Sequence, residues 1–191
     1  VGDGMGWGAP TPASPILQVH KSYLVTQDEQ GVLIIDQHAL HERAMFEVLL
    51  ARIAMADLES QRLLTPAVVD ATAGQIERLP MLAGLFKRLG IEAEPMGPGS
   101  IAVHAFPTFL FDKGVEPGPM VAELLEKSAA DGFEPDREET LRDVLDMMSC
   151  KAAVKAGDRM SEIELAALVR LREEIERSSN CPHGRPTSIR V

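Results

Sequence analysis

Aromatic residues, cysteines and long apolar runs are all scarce in this chain of 191 residues. Phe, Trp and Tyr make up 4% of it, so aliphatic side chains must fill the core, and 45% hydrophobic residues provide enough of them. Two cysteines build no disulfide framework, which favours reduced thiols. No run approaches the roughly 18 to 20 apolar residues of a membrane span, and no secretory leader is recognisable. We therefore expect a cytoplasmic protein with no membrane partner.

Positive charge is also in short supply. Lys and Arg number 19 against 29 Asp and Glu, which gives a formal net charge of −10. Such a chain approaches DNA against net repulsion and without the counterion release that normally supplies non-specific affinity. The balance argues against a free-standing nucleic-acid binder, although a basic patch or a tethered partner could still bring DNA to it. A Walker-type phosphate loop is missing as well, so we expect no nucleotide site in these residues.

The order of predicted elements indicates an α/β protein of the α+β type with two lobes. Residues 1–14, rich in Gly, Pro and Ala, read as a linker. A discontinuous lobe is expected from residues 15–60 and 147–191, with residues 61–146 inserted as a second lobe. The predicted strands cover 16–19, 23–27, 32–36, 61–71, 91–94, 100–106 and 187–191; the predicted helices cover 39–58, 72–89, 119–130, 136–156 and 161–177, with a kink or break at Pro80 and a loop over 112–120.

The densest set of metal-ligand residues lies where the third strand meets the first long helix, in the sequence DQHALHERAMFE. His38 and Glu42 are four residues apart and leave the same face of a helix, with Asp36 just upstream. One imidazole and two carboxylates there suit Mn, Mg or Zn. In the alternative interpretation, weighted equally, Asp36 caps the helix while His38, His41 and Glu42 form its solvated face.

A second set of ligand-type residues lies near the end of the printed sequence. Cys181 and His183 flank Pro182 and present a thiolate and an imidazole, a pattern typical of transition-metal sites. Alone, this pair is weak evidence for a metal site, because a buried thiol beside a surface histidine is the commoner arrangement. Both sets together, in a chain with two Cys and five His, favour a metal site. Arg185 is a candidate phosphate contact, with a salt bridge to an acidic residue as the equal alternative.

Three ordered motifs resemble the C-terminal domain of the bacterial DNA mismatch-repair protein MutL in its endonuclease-bearing form. The family pattern DQHA, two residues, Glu, four residues, Glu is matched from Asp36 to Glu47. The triplet around Cys150, Ser-Cys-Lys, departs mildly from the family's Ala-Cys-Arg-like form. The segment from Cys181 to Pro186 matches the family's Cys-Pro-His-Gly-Arg-Pro. The resemblance runs along the whole chain after the leading linker.

The resemblance implies a metal-dependent, latent endonuclease that nicks one strand of duplex DNA. The ligands of one or two divalent ions would be Asp36, His38, Glu42, Cys181 and His183. The expected cofactors are Mn²⁺, which supports cleavage, and Zn²⁺ at a structural or regulatory position. Glu47 and Cys150 would orient the ligand side chains without binding the ion themselves, or pack beside them. The competing interpretation is a non-catalytic dimerisation scaffold whose metal is structural or regulatory, because a ligand inventory does not distinguish the two.

The resemblance also implies partners. Gln61, Leu64 and Pro66 match the Gln-x-x-Leu-x-Pro peptide by which family members engage the replication sliding clamp; a buried edge strand could supply this pattern by chance. The implied discontinuous lobe forms a homodimer, and the longer protein adds an upstream ATPase and contact with the mismatch-recognition protein at the nucleoid. The last helices carry enough apolar residues for both core and interface, and the sequence does not separate the two. Those residues are Ile163, Leu165, Leu168 and Leu171.

Overall fold

A computed structural model describes residues 15–153, 161–174 and 186–191. Its helices and two antiparallel sheets make a mixed α/β chain, which confirms the predicted α+β class. None of the helices in these ranges combines the length and the hydropathy of a membrane-spanning segment. The elements are β1 (Leu17–Val19), β2 (Tyr23–Asp28), β3 (Gly31–Asp36), α1 (Gln37–Met55), β4 (Ser60–Asp70), α2 (Ala73–Leu89), β5 (Glu92–Pro95), β6 (Ser100–Pro107), α3 (Thr108–Asp112), α4 (Pro117–Ser128), α5 (Glu138–Ala152), α6 (Glu162–Glu174) and β7 (Ser188–Arg190).

The contacts between residues divide the described chain into two units. The first contains the residues up to Glu47 and those from Ala153 onward; the second runs from Val48 to Ala152. The boundary between Glu47 and Val48 falls within helix α1. The assignment of a dimerising lobe and an inserted regulatory lobe stays a prediction.

The first unit is built on a four-stranded sheet in the order β1-β2-β3-β7. One face of this sheet packs against α1 and α6. The cluster consists of Leu24, Leu33, Ile35, Leu40, Ala44, Leu165 and Leu168, with Ile16, Val169 and Leu171 partly buried against it. The apolar run of β3 predicts a strand buried on both faces, and that prediction is wrong. Leu33 and Ile35 are buried, whereas Val32 is exposed and Ile34 is half-buried.

The turn between β1 and β2 has an unfavourable backbone conformation. His20 and Lys21 have φ values of 50° and 52°, and the Ser22 amide donates to Val19 O over 3.1 Å. Positive φ at both central residues matches the type I′ hairpin turn, which favours Asn-Gly because β-carbons are strained there. Neither His nor Lys signals such a turn in the sequence.

We expect the double substitution His20→Asn and Lys21→Gly to raise the free energy of unfolding by about 1 kcal/mol. Left-handed backbone strain destabilises the folded state by on the order of 1 kcal/mol per residue, and the substitutions relieve it. This gain in stability exceeds the loss caused by the greater flexibility of glycine in the unfolded chain. Urea denaturation of both proteins at one concentration measures the change. An unchanged or lower denaturation midpoint contradicts this assignment of the turn.

The second unit contains a three-stranded sheet in the order β4-β6-β5, so β4 lies at an edge. The register of β4 against β6 shifts between Arg62 and Ala67. Helix α2 begins with a capping box between Thr72 and Gln75 and is capped at its other end by Gly90, whose φ of 74° is left-handed, a conformation that glycine adopts without strain. A β-carbon at Gly90 would lie 2.7 Å from Leu58 O.

Two further predictions in the second unit need correction. The sequence predicts a kink or a break at Pro80; helix α2 continues through this residue, so the break is wrong, and the kink stays a prediction. Residues 112–120 are not one loop, because α3 ends at Asp112 and α4 begins at Pro117. Proline at the first helical position has a φ that suits a helix and lacks only an amide that the helix leaves unpaired anyway.

Candidate metal centre

The junction of β3 and α1 is fixed by hydrogen bonds from three directions. Asp36 ends β3, and its Oδ1 accepts from the Ala39 amide over 3.0 Å, which makes it the N-terminal cap of α1. The Asp36 amide donates to Thr187 O over 2.8 Å, and the Gln37 amide donates to Ser22 O over 2.9 Å. The sheet therefore sets where the first turn of α1 begins and which way Asp36 faces.

Helix α1 places the next two candidate ligands one turn apart. His38 is half-buried, and Glu42 is only 4% exposed. The alternative of a solvated helix face is therefore wrong for Glu42, although its other part, the Asp36 cap, is confirmed. A buried carboxylate is retained where hydrogen bonds or a cation compensate its charge. A divalent ion beside Glu42 would do so.

The donor chemistry at this junction fits a divalent cation. Asp36 uses Oδ1 for the helix cap and, as a carboxylate, has a second oxygen with further acceptor capacity. An imidazole from His38 and carboxylates from Asp36 and Glu42 suit Mn²⁺ and Zn²⁺. Within 15–153, 161–174 and 186–191, however, no three His, Cys, Asp or Glu residues group closely enough to hold an ion.

The other proposed ligands, Cys181 and His183, lie outside the described residues, as does Arg185. Because the predicted centre combines both segments, its assembly stays a prediction.

The two remaining motif residues have different surroundings. The Glu47 carboxylate pairs with the Arg43 guanidinium one turn earlier, and that guanidinium also lies 5.5 Å from the centre of the Phe46 ring. The turn after the candidate ligands is thereby held by an ion pair and a cation–π contact. Cys150 is exposed near the end of α5. The supporting roles of Glu47 and Cys150 stay predictions.

Sequence reasoning missed an amide pair at this junction. Gln18 Nε2 donates to Gln37 Oε1 over 2.5 Å, which ties β1 to the start of α1. Gln37 is 1% exposed. Its place inside the DQHA motif was a signal, but nothing in the sequence points to Gln18 as its partner.

The clamp-like peptide lies on the edge strand β4 of the second unit. Gln61, Leu64 and Pro66 are all exposed, and Leu64 is fully so. The alternative interpretation is that a buried edge strand produces this pattern by chance. The strand is at an edge, but these three residues are not buried. An extended segment with an exposed leucine is available to a partner.

The outer face of the first unit's sheet is apolar and accessible. Direct register pairs place Leu17, Val25, Ile34 and Ile189 in one row across all four strands, so they share a face. Leu17 is 63% and Ile189 57% exposed. On α6, Leu165 and Leu168 are buried in the core and Leu171 is partly buried against it, whereas Ile163 is exposed. The structure thus distinguishes core residues from accessible ones, which the sequence does not.

Comparisons with known proteins agree on one family. The family model described as the MutL C terminal dimerisation domain matches residues 16–160. The DNA mismatch repair protein MutL of Sinorhizobium fredii is 38% identical over 96% of this chain and 31% of its own length. The MutL proteins of Phenylobacterium zucineum and Caulobacter vibrioides are 34% and 33% identical, over 91% and 96% of this chain and 28% and 30% of their own lengths. The chain thus spans about a third of the length of these relatives, and it belongs to the MutL C-terminal dimerisation-domain family of DNA mismatch-repair proteins.

Proposed function

We propose that this chain is the dimerising, metal-dependent endonuclease part of a MutL protein and nicks one strand of duplex DNA. The observation that supports this most is Glu42, a carboxyl group buried one helix turn after His38 on the helix that Asp36 caps. A divalent ion would compensate the charge of a desolvated carboxylate at this position, and the nicking test below separates a catalytic ion from a structural one.

The proposed mechanism is hydrolysis of a phosphodiester. A divalent ion would supply a water of lowered pKa and offset negative charge on the phosphate. Asp36 and His38 would hold the ion from the start of α1, where the Ala39 amide keeps the Asp36 carboxylate oriented. Glu42 would add a ligand from the next turn, and Cys181 and His183 would complete the set from the other segment, where a thiolate would favour Zn²⁺. Arg185 would bind the phosphate.

The test is plasmid nicking. With Mn²⁺, a fusion of this chain to a DNA-binding domain should convert supercoiled plasmid to nicked circles rather than linear DNA. The fusion supplies the local concentration that a chain of net charge −10 lacks. A fusion that remains inert while it binds Mn²⁺ and dimerises contradicts the nuclease and favours the non-catalytic scaffold.

We also propose that a second copy of this chain covers the apolar sheet face of the first unit. The row of Leu17, Val25, Ile34 and Ile189 crosses every strand of that sheet, and exposed apolar surface of this kind favours association. The same patch on both copies makes a two-fold interface. DNA and the mismatch-recognition protein, reached through the longer protein, complete the proposed partners in the cytoplasm at the nucleoid.

The third proposed contact is with the replication sliding clamp, through Gln61, Leu64 and Pro66. An extended segment binds a partner by alternate side chains entering pockets. We expect Leu64→Ser to weaken clamp binding at least about tenfold, because a buried leucine contributes on the order of 2 kcal/mol. Surface plasmon resonance on immobilised clamp measures this.

Val68→Ser is the matched control, since Val68 is exposed on the same strand but outside the peptide. Equal clamp affinity of the Leu64 variant and the wild type contradicts this contact.

A further inference from the structure

Gln37 is the most deeply buried amide side chain of the described residues, and its hydrogen bonding is incomplete. Its side chain is 1% exposed, and Oε1 accepts from Gln18 Nε2 over 2.5 Å. Within the described part of the chain, no atom accepts a hydrogen bond from Gln37 Nε2. A buried donor without an acceptor costs about 1 to 3 kcal/mol. An apolar residue of the same size would avoid that cost, so stability alone does not explain a glutamine here.

The position of Gln37 explains what it can do. It lies between Asp36 and His38 in the chain, and its own amide is bonded to Ser22 O. With the Gln18 contact, both its backbone and its side chain are attached to neighbours outside α1. These two attachments fix the rotation of the first helical turn about its axis. That rotation sets the directions in which the flanking Asp36 and His38 side chains leave the backbone.

We propose that Gln37, anchored by Gln18, is a positioning residue that aims Asp36 and His38 at a divalent cation. The inference rests on the proposed metal-dependent function and adds two residues to which no role has been assigned. Groups that orient metal ligands from behind change metal affinity 10- to 100-fold when they are removed. Residues at active sites often lower the stability of the fold while they serve function. A buried amide that destabilises the fold but orients metal ligands is an example of this trade-off.

The test compares Mn²⁺ affinity with stability. Electron paramagnetic resonance of free Mn²⁺ during titration gives the affinity at 20 °C, and thermal unfolding gives the melting temperature. We expect Gln37→Met to bind Mn²⁺ at least tenfold more weakly while its melting temperature does not fall. Gln18→Met should weaken binding in the same direction, and the double variant should be no worse than Gln37→Met alone, because both changes break one contact.

Gln75→Met is the control, an amide in the cap of α2 in the other unit, and it should keep wild-type Mn²⁺ affinity. Variants at Gln37 and Gln18 that bind within twofold of the wild type overturn the inference, even if their melting temperatures fall. If Gln37→Met does not fold, Gln18→Met decides by the same criterion. A wild-type chain that binds no Mn²⁺ contradicts the proposed function itself. Equal Mn²⁺ affinity of the wild type and all variants is a different result and overturns only the inference about Gln37.

Discussion

We expect Asp36→Asn to slow plasmid nicking at least about 100-fold, while dimer mass and melting temperature stay close to those of the wild type. The amide oxygen still accepts from the Ala39 amide and so preserves the cap of α1. The substitution removes the negative charge that would hold the proposed divalent ion. Metal-based stabilisation of a phosphate is worth several kcal/mol, and each 1.4 kcal/mol is a factor of ten in rate. The measurement is the rate of nicked-circle formation by the fused protein with Mn²⁺.

Glu42→Gln should give a loss of the same order. Because Glu42 is buried, glutamine is a better probe than lysine, which would place an unpaired charge in the core and unfold the unit for other reasons. Asp70→Asn is the matched control, an exposed carboxylate at the end of β4. Nicking by Asp36→Asn at the wild-type rate excludes this carboxylate as a ligand and contradicts the proposed centre.

The second large effect concerns the homodimer. Ile34→Asp should convert the protein to monomers, with an apparent dissociation constant raised at least about 100-fold. Ile34 is central in the sheet, paired with Val25 on one side and Ile189 on the other. A two-fold interface would bury this carboxylate twice, and an unpaired buried charge costs several kcal/mol. Sedimentation equilibrium over a range of protein concentrations gives the constant.

Val68→Asp provides the control for the added charge, since Val68 is an exposed apolar residue on the sheet of the other unit. It should leave the dimer intact. A dimer of wild-type affinity for Ile34→Asp would show that the second copy sits elsewhere.

Strand and helix positions follow from the sequence where local patterns decide them. Strands β2 and β3 and the start of α2 lie within one residue of their predicted bounds, and α6 begins at the Ser161–Glu164 capping box. Local signals fail where another rule overrides them, as at Pro80, where packing of Leu79 and Leu82 holds α2 together despite the lost hydrogen bond.

The environment of the candidate site was harder to predict because it depends on distant parts of the chain. The motif named Asp36, His38 and Glu42, but burial of Glu42 depends on what packs over α1. The bond from Gln18 to Gln37 joins residues 19 apart and leaves no periodic trace. The wrong prediction for β3 also arose because burial depends on distant parts of the chain. Val32 and Ile34 belong to an apolar run that is typical of a core strand, although they lie on the accessible face of the sheet.

X-ray anomalous scattering at the Zn and Mn edges, from one crystal of this chain, tests the central claim most directly. We expect an anomalous peak with ligand atoms from both segments, Asp36, His38 or Glu42 on one side and Cys181 or His183 on the other, within about 2.0 to 2.3 Å of the ion. Ions bound by one segment alone, with the other segment out of ligand range, would contradict it.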